Sequence, residues 1–289
     1  MPSCSEWRYT SLCRFRTAGT DPAVAQMDFD NDGLGIATER GDVIGAWACF
    51  HIPDIFVEVD WMPGHEMSNE AVAKVLWAFA RQGIVLHIDR GEMGGGNQII
   101  QPTTFWFRPR AGNSNDFYDF KWGNGWDMNG NNMVDFGVDN LRGNFSVNRL
   151  GIFHYCIMGQ EYAEVAGSSG KSGGIPDDDF FVSDGKLKDM WWLDYTKILS
   201  STFMHELGHN LGLHHYGNVD QCPHAPDHDE GAGCPDYVSI MSYHYQLSPG
   251  DWPSGWGGNP NYGSRTGWSD WANLNIASIQ NAPGVEGDP

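Results

Sequence analysis

Basic residues are scarce in this chain. Its 17 lysines and arginines stand against 37 aspartates and glutamates, which gives a formal net charge of −20 at pH 7. A nucleic-acid-binding protein needs a basic surface to displace counterions, and docking on anionic lipid also needs cationic side chains. The composition therefore argues against both kinds of partner. It fits a protein kept soluble outside the cell, and equally calcium binding and attraction of cationic substrates.

The chain also has no apolar run long enough to span a bilayer, so we expect no membrane insertion. Residues 1–4 show no basic and then apolar signal segment. Its six cysteines include no Cys-x-x-Cys pair, which disfavours zinc-finger and thioredoxin-type sites. An even set of cysteines without such pairs favours disulfides. We therefore expect a secreted, extracellular protein whose signal segment is not part of this sequence.

Residues 205–215 read H-E-L-G-H-N-L-G-L-H-H and fit the pattern H-E-x-x-H-x-x-G-x-x-H. On a helix, His205 and His209 stand one turn apart on the same face, so both imidazoles can reach one metal ion. Glu206 lies one step round the helix, where its carboxylate can hold a metal-bound water without being a ligand. The spacing predicts a zinc site built on a helix.

The rest of this motif supplies the third ligand. Gly212 can adopt the positive φ that lets the chain leave the helix and turn back. His215 then offers a third nitrogen and leaves one tetrahedral position open for water, as catalytic zinc requires. His214 is the neighbouring alternative, but the Gly-x-x-His spacing favours His215. The first five residues alone also occur by chance on helices whose histidines are merely exposed.

A second pattern lies downstream, where residues 239–243 read S-I-M-S-Y. The two patterns together resemble the metzincin clan of zinc metalloproteases, in which the methionine forms a tight turn beneath the zinc. The tyrosine two residues after that methionine resembles the astacin and serralysin branches. Taken alone, Met241 would be an ordinary core residue and Tyr243 an ordinary surface or strand tyrosine.

The resemblance implies a role for each matching residue. Three histidines are the implied zinc ligands: His205, His209 and His215. Glu206 is the implied general base, and Met241 is the floor of the site. Tyr243 is implied to stabilise the oxyanion or to act as a loose extra ligand.

An acidic loop near the start of the chain predicts a calcium site. Residues 28–33 read D-F-D-N-D-G, and Glu39 closes a twelve-residue calcium-loop pattern. Its oxygen donors would be Asp28, Asp30, Asp32 and Glu39. We expect a lone calcium loop rather than a paired EF-hand, with an acidic solvated turn as the alternative. Residues 127–135 carry further oxygen donors at alternating positions and could hold a second calcium, but they lack the central glycine and the terminal glutamate of the pattern.

Periodicity predicts an α/β (α+β) fold, and the resemblance implies a two-lobed, metzincin-like catalytic domain. We expect a twisted mixed sheet, an active-site helix and an irregular C-terminal lobe. Strands are predicted at 55–62, 84–88 and 153–158, with a short edge strand at 180–183. Helices are predicted at 68–81, 195–211 and 268–280. The domains are an extension at 1–45 and a catalytic domain at 46–289, divided into lobes at 46–212 and 213–289.

The cysteines allow several pairings, and we favour three. Cys222 with Cys234 would close the loop between the third predicted zinc ligand and Met241. Cys4 with Cys13 would staple the N-terminus, which leaves Cys49 with Cys156. Cys4 could instead supply a thiolate to the zinc, although the rest of such a switch motif is missing.

These observations predict a secreted zinc endopeptidase that acts on polypeptide substrates. One alternative belongs to another class: a secreted adhesive, structural or self-assembling protein with a metzincin scaffold and a non-catalytic zinc site. The second alternative is a protease that takes its third ligand from a glutamate far downstream instead of from His215. The sequence does not determine the oligomeric state.

Overall fold

The computed structural model describes residues 53–99, 104–107, 116–123, 141–162, 164–165, 167–190, 192–215, 237–265 and 267–276. The longer strands are β1 (Asp54–Trp61), β2 (Val85–Asp89), β4 (Phe153–Gly159) and β7 (Asp179–Ser183). The shorter strands are β3 (Thr104–Phe105), β5 (Glu161–Tyr162), β6 (Gly170–Ser172), β8 (Ser264–Arg265) and β9 (Trp268–Ser269). The α-helices are α1 (Asn69–Ala80), α2 (Phe117–Trp122), α3 (Asp184–Asp189), α4 (Tyr195–Asn210) and α5 (Tyr243–Leu247).

A five-stranded mixed sheet forms the centre of the fold, in the order β2-β1-β4-β7-β6. The first four strands are parallel to one another, and β6 runs antiparallel to β7. The predicted α/β class with a mixed sheet is therefore confirmed. The prediction that 180–183 is an edge strand is wrong, because β7 lies inside the sheet and the three-residue β6 covers its outer side.

Alternating side chains give the sheet two buried faces. On β1, Ile55, Val57 and Val59 join a core formed with helices α1 and α4. Phe56 and Met62 turn to the other face, where they pack against α2 and the segments around it. Because both faces are covered, the parallel strands carry apolar residues on both sides, as buried parallel strands do, and most of their charged residues are themselves buried. The larger core lies on the face that carries α4.

The N-terminus of α1 follows the predicted capping pattern. Ser68 has extended backbone geometry, and its hydroxyl accepts a hydrogen bond from the N–H of Ala71 at 3.2 Å. This side-chain acceptor satisfies one of the helix N–H groups that has no intrahelical partner. Val75 and Phe79 are fully buried against the core, so the predicted apolar stripe is the packed face.

Charged groups are buried on the face opposite α4. The Arg149 guanidinium lies 2.6 Å from Glu58 and 2.7 Å from Asp89, and all three side chains are almost completely buried. The ammonium of Lys121, also buried, lies 2.5 Å from a carboxylate oxygen of Asp179. Buried charges need such partners, because removal of one leaves the other desolvated and unpaired. These pairs tie the covering segments to the sheet.

The C-terminal part of the described chain contains little regular structure. The predicted helix at 268–280 is wrong for the described residues 268–276, which form β9 and a short 3₁₀ turn at Trp271–Asn273. Strand β9 pairs antiparallel with β8. The carboxylate of Asp270 accepts hydrogen bonds from the N–H of Gly263 and the indole N–H of Trp268, and these bonds hold this segment in a non-helical arrangement.

Several predictions concern residues outside the described ranges. The calcium ligands Asp28, Asp30, Asp32 and Glu39 are among them, as are residues 127–135 and five of the six cysteines. Cys156 is described as a free thiol that is fully buried in the core, so the expected pair with Cys49 is not formed. Among the described helices, none has the length and apolar character needed to cross a membrane.

A buried histidine makes stability depend on pH. His154 is fully buried on β4, and burial lowers its pKa from 6.5 to about 4, although the nearby Asp178 carboxylate raises it. The unfolded chain therefore binds a proton that the folded protein excludes between pH 6.5 and pH 4. Stability present above pH 6.5 should be lost across this window, by about 3 kcal/mol.

We expect the His154→Leu variant to lose less stability than the unaltered protein between pH 6.5 and pH 4. Urea unfolding of metal-free protein at each pH measures this difference. The Ile157→Val change, at a fully buried position on the same strand, removes no titratable group; it is the control and should leave the pH dependence unaltered. Identical pH profiles for the His154 variant and the unaltered protein would contradict this account.

Candidate active site

Helix α4 carries the first half of the predicted zinc motif. It begins after Asp194, whose side chain accepts a hydrogen bond from the N–H of Lys197 at 3.2 Å. From Ile198 to Asn210 every residue of the helix is buried, because the sheet covers one side and the C-terminal segments cover the other. A helix enclosed in this way holds its side chains in fixed rotamers, which a metal site requires.

The structure brings the three predicted ligand histidines together. The Nε2 atom of His209 lies 3.1 Å from Nε2 of His205 and 3.0 Å from Nε2 of His215. These three residues form a group whose nitrogen atoms could hold one metal ion. His214, the alternative third ligand, is exposed to solvent and does not belong to the group.

Two backbone carbonyls determine which ring nitrogens face the centre. The oxygen of Ile240 lies 2.7 Å from Nδ1 of His205, and that of Leu213 lies 2.8 Å from Nδ1 of His209. A carbonyl can only accept, so both Nδ1 atoms must donate, and both Nε2 atoms then carry lone pairs. Two lone pairs 3.1 Å apart cannot bond to each other. A cation between them satisfies both.

The charge state of the three imidazole rings also fits a site for a cation. Burial lowers the pKa of His205 far below its usual value, and it lowers the pKa of His209 to about 3. Burial likewise lowers the pKa of His215 to about 4. Neutral imidazoles are the form that binds metal, and their other ring nitrogen commonly donates to a carbonyl or a carboxylate. Three imidazoles with a remaining open position are typical of catalytic zinc.

The end of α4 places the second carbonyl. Gly212 has φ of +86°, the left-handed conformation that glycine adopts without a Cβ clash. Its N–H donates to the carbonyl of His209 at 2.9 Å, and the N–H of Leu213 donates to that of Gly208 at 2.8 Å. This pair of bonds is the Schellman arrangement, which ends the helix and turns the chain back. The turn brings the Leu213 carbonyl to His209 and directs His215 to the same centre.

The predicted methionine turn lies beneath the ligands. Ile240, whose carbonyl orients His205, directly precedes the fully buried Met241. The hydroxyl of Ser239 accepts a hydrogen bond from the N–H of Met241 at 3.1 Å and donates to Asp270 at 2.6 Å. Tyr237 also donates to both oxygens of Asp270, each at 2.8 Å. Asp270 therefore fixes the turn that orients a predicted ligand.

The packing of Met241 requires glycine at position 208. A Cβ atom on Gly208 would stand 2.4 Å from the sulfur of Met241 and 3.0 Å from a ring carbon of Tyr262. Both distances are shorter than ordinary carbon contacts, so the methionine side chain lies directly against the backbone of α4. Met241 supports the helix at the turn between His205 and His209.

Glu206 is 5% exposed and faces the edge of the sheet. A Cβ atom on Gly170 would come within 2.5 Å of a Glu206 carboxylate oxygen, so strand β6 passes directly beside this carboxylate. Burial raises the pKa of Glu206 to about 8, while the positive charge of Lys171 lowers it. A divalent cation on the adjacent imidazoles would favour the ionised carboxylate further.

Tyr243 lies beside the three predicted ligand histidines. Its ring centroid is 4.4 Å from that of His215 and 5.7 Å from that of His205. The residue is half-buried and begins helix α5, directly after the methionine turn. This position puts a phenol group at the border between the histidine group and solvent.

Sequence reasoning missed several residues of this site. The orienting carbonyls of Ile240 and Leu213 have no side-chain signal, since any residue type carries a carbonyl. Gly170 and Lys171 lie in a three-residue strand that is too short to show a periodic pattern. In the sequence alone, nothing distinguishes Asp270 from the other acidic residues.

Similarity to known proteins is low for this chain. No protein family matches the chain by its sequence profile, and no curated protein sequence matches it. Among solved structures, archaemetzincin from Methanopyrus kandleri matches with a TM-score of 0.33 and 15% sequence identity. The match covers 65% of this chain and 81% of that chain. The functional conclusion therefore rests on the site itself.

We expect the Gly208→Ala variant to be less stable than the unaltered protein by about 1–3 kcal/mol, because the new methyl group overpacks the contact with Met241. Urea unfolding measures the loss. The double variant Gly208→Ala/Met241→Ala lacks the obstructing side chain. Its loss of stability should therefore be smaller than the sum of the losses in the two single variants.

The matched control for this experiment is Gly255→Ala. Apart from its two chain neighbours, no described residue has a heavy atom within 4 Å of a Cβ placed there, so the stability of this variant should be nearly unchanged. Unaltered stability of Gly208→Ala, together with strict additivity in the double variant, would show that Met241 does not press on the helix.

Proposed function

We propose that this protein is a zinc-dependent endopeptidase that cleaves extended polypeptides. The observation that carries the proposal is the convergence of the His205 and His209 lone pairs, with His215 beside them. The donor hydrogen bonds at both Nδ1 atoms leave no proton for the contact between the two Nε2 atoms. Three neutral imidazoles next to a buried glutamate are the donor set of a hydrolytic zinc site.

The proposed chemistry assigns one task to each residue. His205, His209 and His215 would hold the zinc, which when bound would supply a Lewis acid for the scissile carbonyl and for a water molecule that attacks near neutral pH. Glu206 accepts the proton of that water and then delivers it to the nitrogen of the leaving amine. Tyr243 donates a hydrogen bond to the oxyanion that forms on the carbonyl oxygen.

The edge of the sheet supports an extended substrate. Strand β6 ends the sheet among the described residues and passes Glu206 at Gly170. A peptide that adds to an exposed strand gains backbone hydrogen bonds whatever its side chains are. Strand addition at β6 would therefore present a peptide carbonyl beside the proposed base. This arrangement favours cleavage within chains over removal of single terminal residues.

We further propose that the protein acts outside the cell and binds calcium through Asp28, Asp30, Asp32 and Glu39. The acidic composition and the D-x-D-x-D-G pattern support this proposal. Since Cys156 is a free thiol, no more than two disulfides can form among the other five cysteines.

We expect Glu206→Gln to abolish peptide cleavage while zinc stays bound, because the amide keeps the size of the carboxylate but cannot accept the proton. The measurement is turnover of a quenched peptide library, together with metal content after gel filtration. Removal of a general base of this kind costs about 10²–10⁴-fold in rate. Glu70→Gln, on the exposed side of α1, is the matched control and should cleave normally.

Two results would overturn the protease assignment. One is undiminished turnover by Glu206→Gln. The other is an unaltered, zinc-loaded protein that cleaves no peptide in the library, which would favour the adhesive or structural alternative.

The identity of the third ligand has its own test. We expect His215→Ala to lose most of its zinc affinity, because the site would keep only two imidazoles, whereas His214→Ala should bind zinc normally. Competition with a chromophoric chelator measures both affinities. Normal zinc binding by His215→Ala would instead favour a third ligand elsewhere, as in the alternative with a downstream glutamate.

A further inference from the structure

Strand β6 has a defined pattern of inward and outward backbone groups. The N–H of Ser183 donates to the carbonyl of Ser169 at 2.8 Å, and the N–H of Gly173 donates to that of Asp179 at 2.9 Å. Hydrogen-bonded pairs alternate along an antiparallel ladder, so Lys171, midway between these two, also directs its backbone groups to β7. Its two neighbours direct theirs to the outer side, where no strand pairs with them in the described chain.

These neighbours are Gly170 and Ser172, and their outward backbone groups would anchor an added chain. Gly170 lies against Glu206, whereas the hydroxyl of Ser172 accepts a hydrogen bond from the Asn210 amide at 2.9 Å. The Gly170 carbonyl accepts one bond from the Ser168 hydroxyl at 2.7 Å and keeps a second lone pair. An antiparallel peptide would run from Ser172 to Gly170, with the bond to be cleaved just beyond Gly170.

The register then fixes which peptide residue lies opposite Lys171. The residue beside Gly170 directly precedes the cleaved bond, so the one opposite Lys171 is the second residue before it. That residue would form a non-hydrogen-bonded pair with Lys171, which has the shorter Cα separation and places both side chains on the same face. Directly opposed Cβ atoms lie about 4.5–5.5 Å apart, within reach of an ion pair.

The Lys171 side chain is available for such a partner. It is partly exposed, and among the described residues it makes no ion pair within 4.0 Å. Its charge is nevertheless felt at the site, since it acts on both Glu206 and His209. In a chain with net charge −20, Lys171 is therefore a cation without a described carboxylate within 4.0 Å, on the strand that passes Glu206.

We propose that Lys171 makes the enzyme select aspartate or glutamate at the second residue before the cleaved bond. This inference rests on the proposed endopeptidase function and names its substrate class. A charge pair across neighbouring strands is worth a modest amount, so we expect a preference of about two- to fivefold over a neutral residue. A lysine at the same peptide position should be disfavoured by a similar factor.

The experiment uses three quenched peptides that differ only at this position, which holds Glu, Gln or Lys. For the zinc-loaded protein, kcat/KM should fall in that order, and 0.5 M salt should reduce the differences. Lys171→Gln should remove most of the preference, and Lys171→Glu should reverse it. Lys197→Glu makes the same charge change on the far turn of α4, near Asp194, and should leave the order unaltered.

A second readout does not depend on turnover. The Glu206→Gln protein, loaded with zinc, is titrated with the same three peptides, and fluorescence anisotropy gives their Kd values. The order of affinity should again be Glu, Gln, Lys, and Lys171→Glu added to this background should reverse it. The same substitutions one residue before or after this peptide position should change Kd and kcat/KM less.

The outcomes separate the two proposals. Cleavage of all three peptides at equal kcat/KM overturns the role of Lys171 and leaves the endopeptidase standing. A preference at a neighbouring peptide position overturns the register of β6. Binding in the expected order without any cleavage by the unaltered protein overturns the endopeptidase but supports Lys171 as the selector. Neither cleavage nor ordered binding overturns both.

Discussion

The carbonyl oxygens of Ile240 and Leu213 each accept a hydrogen bond from the Nδ1 of a histidine on α4, and this fixes the tautomers on which the site depends. With both Nδ1 atoms donating, the Nε2 lone pairs converge and have no proton to share. The helix, the Schellman turn at Gly212 and the methionine turn each place one partner of these bonds. Because a mobile ring could rotate away, the burial of α4 in the core is part of the same constraint.

Much of this arrangement could be predicted from local sequence, since its causes are local. The one-turn spacing of His205 and His209 and the positive φ at Gly212 follow from helix geometry, and both are present. The strand alternation at 55–62 and the Ser68 cap likewise correspond to β1 and α1 to within a residue or two. Fold class followed from the order of these elements. Each of these patterns has its physical cause within a few residues of itself.

Features that depend on distant pairing could not be predicted in this way. Which strand lies at the edge of a sheet depends on all the strands, so the apolar run at 180–183 could not reveal that β6 pairs with the outer side of β7. The segment after Trp268 has apolar residues at helical spacing, yet Asp270 accepts hydrogen bonds from Tyr237 and Gly263 and holds it open. The expected Cys49–Cys156 pair was wrong for a similar reason, because local sequence does not show that the strand carrying Cys156 is buried in the centre of the sheet.

The Asp270 carboxylate, described above as an anchor for Ser239, also determines how the protein can be divided. It lies 27 residues beyond Tyr243, which stands beside the histidine group, yet Ser239 and the turn that carries the Ile240 carbonyl depend on it. A fragment that stops after Tyr243 would retain every residue implied as a ligand or base and lose the support of one imidazole. The minimal unit for expressing an intact histidine group therefore extends through residue 270, well past residues 205–215.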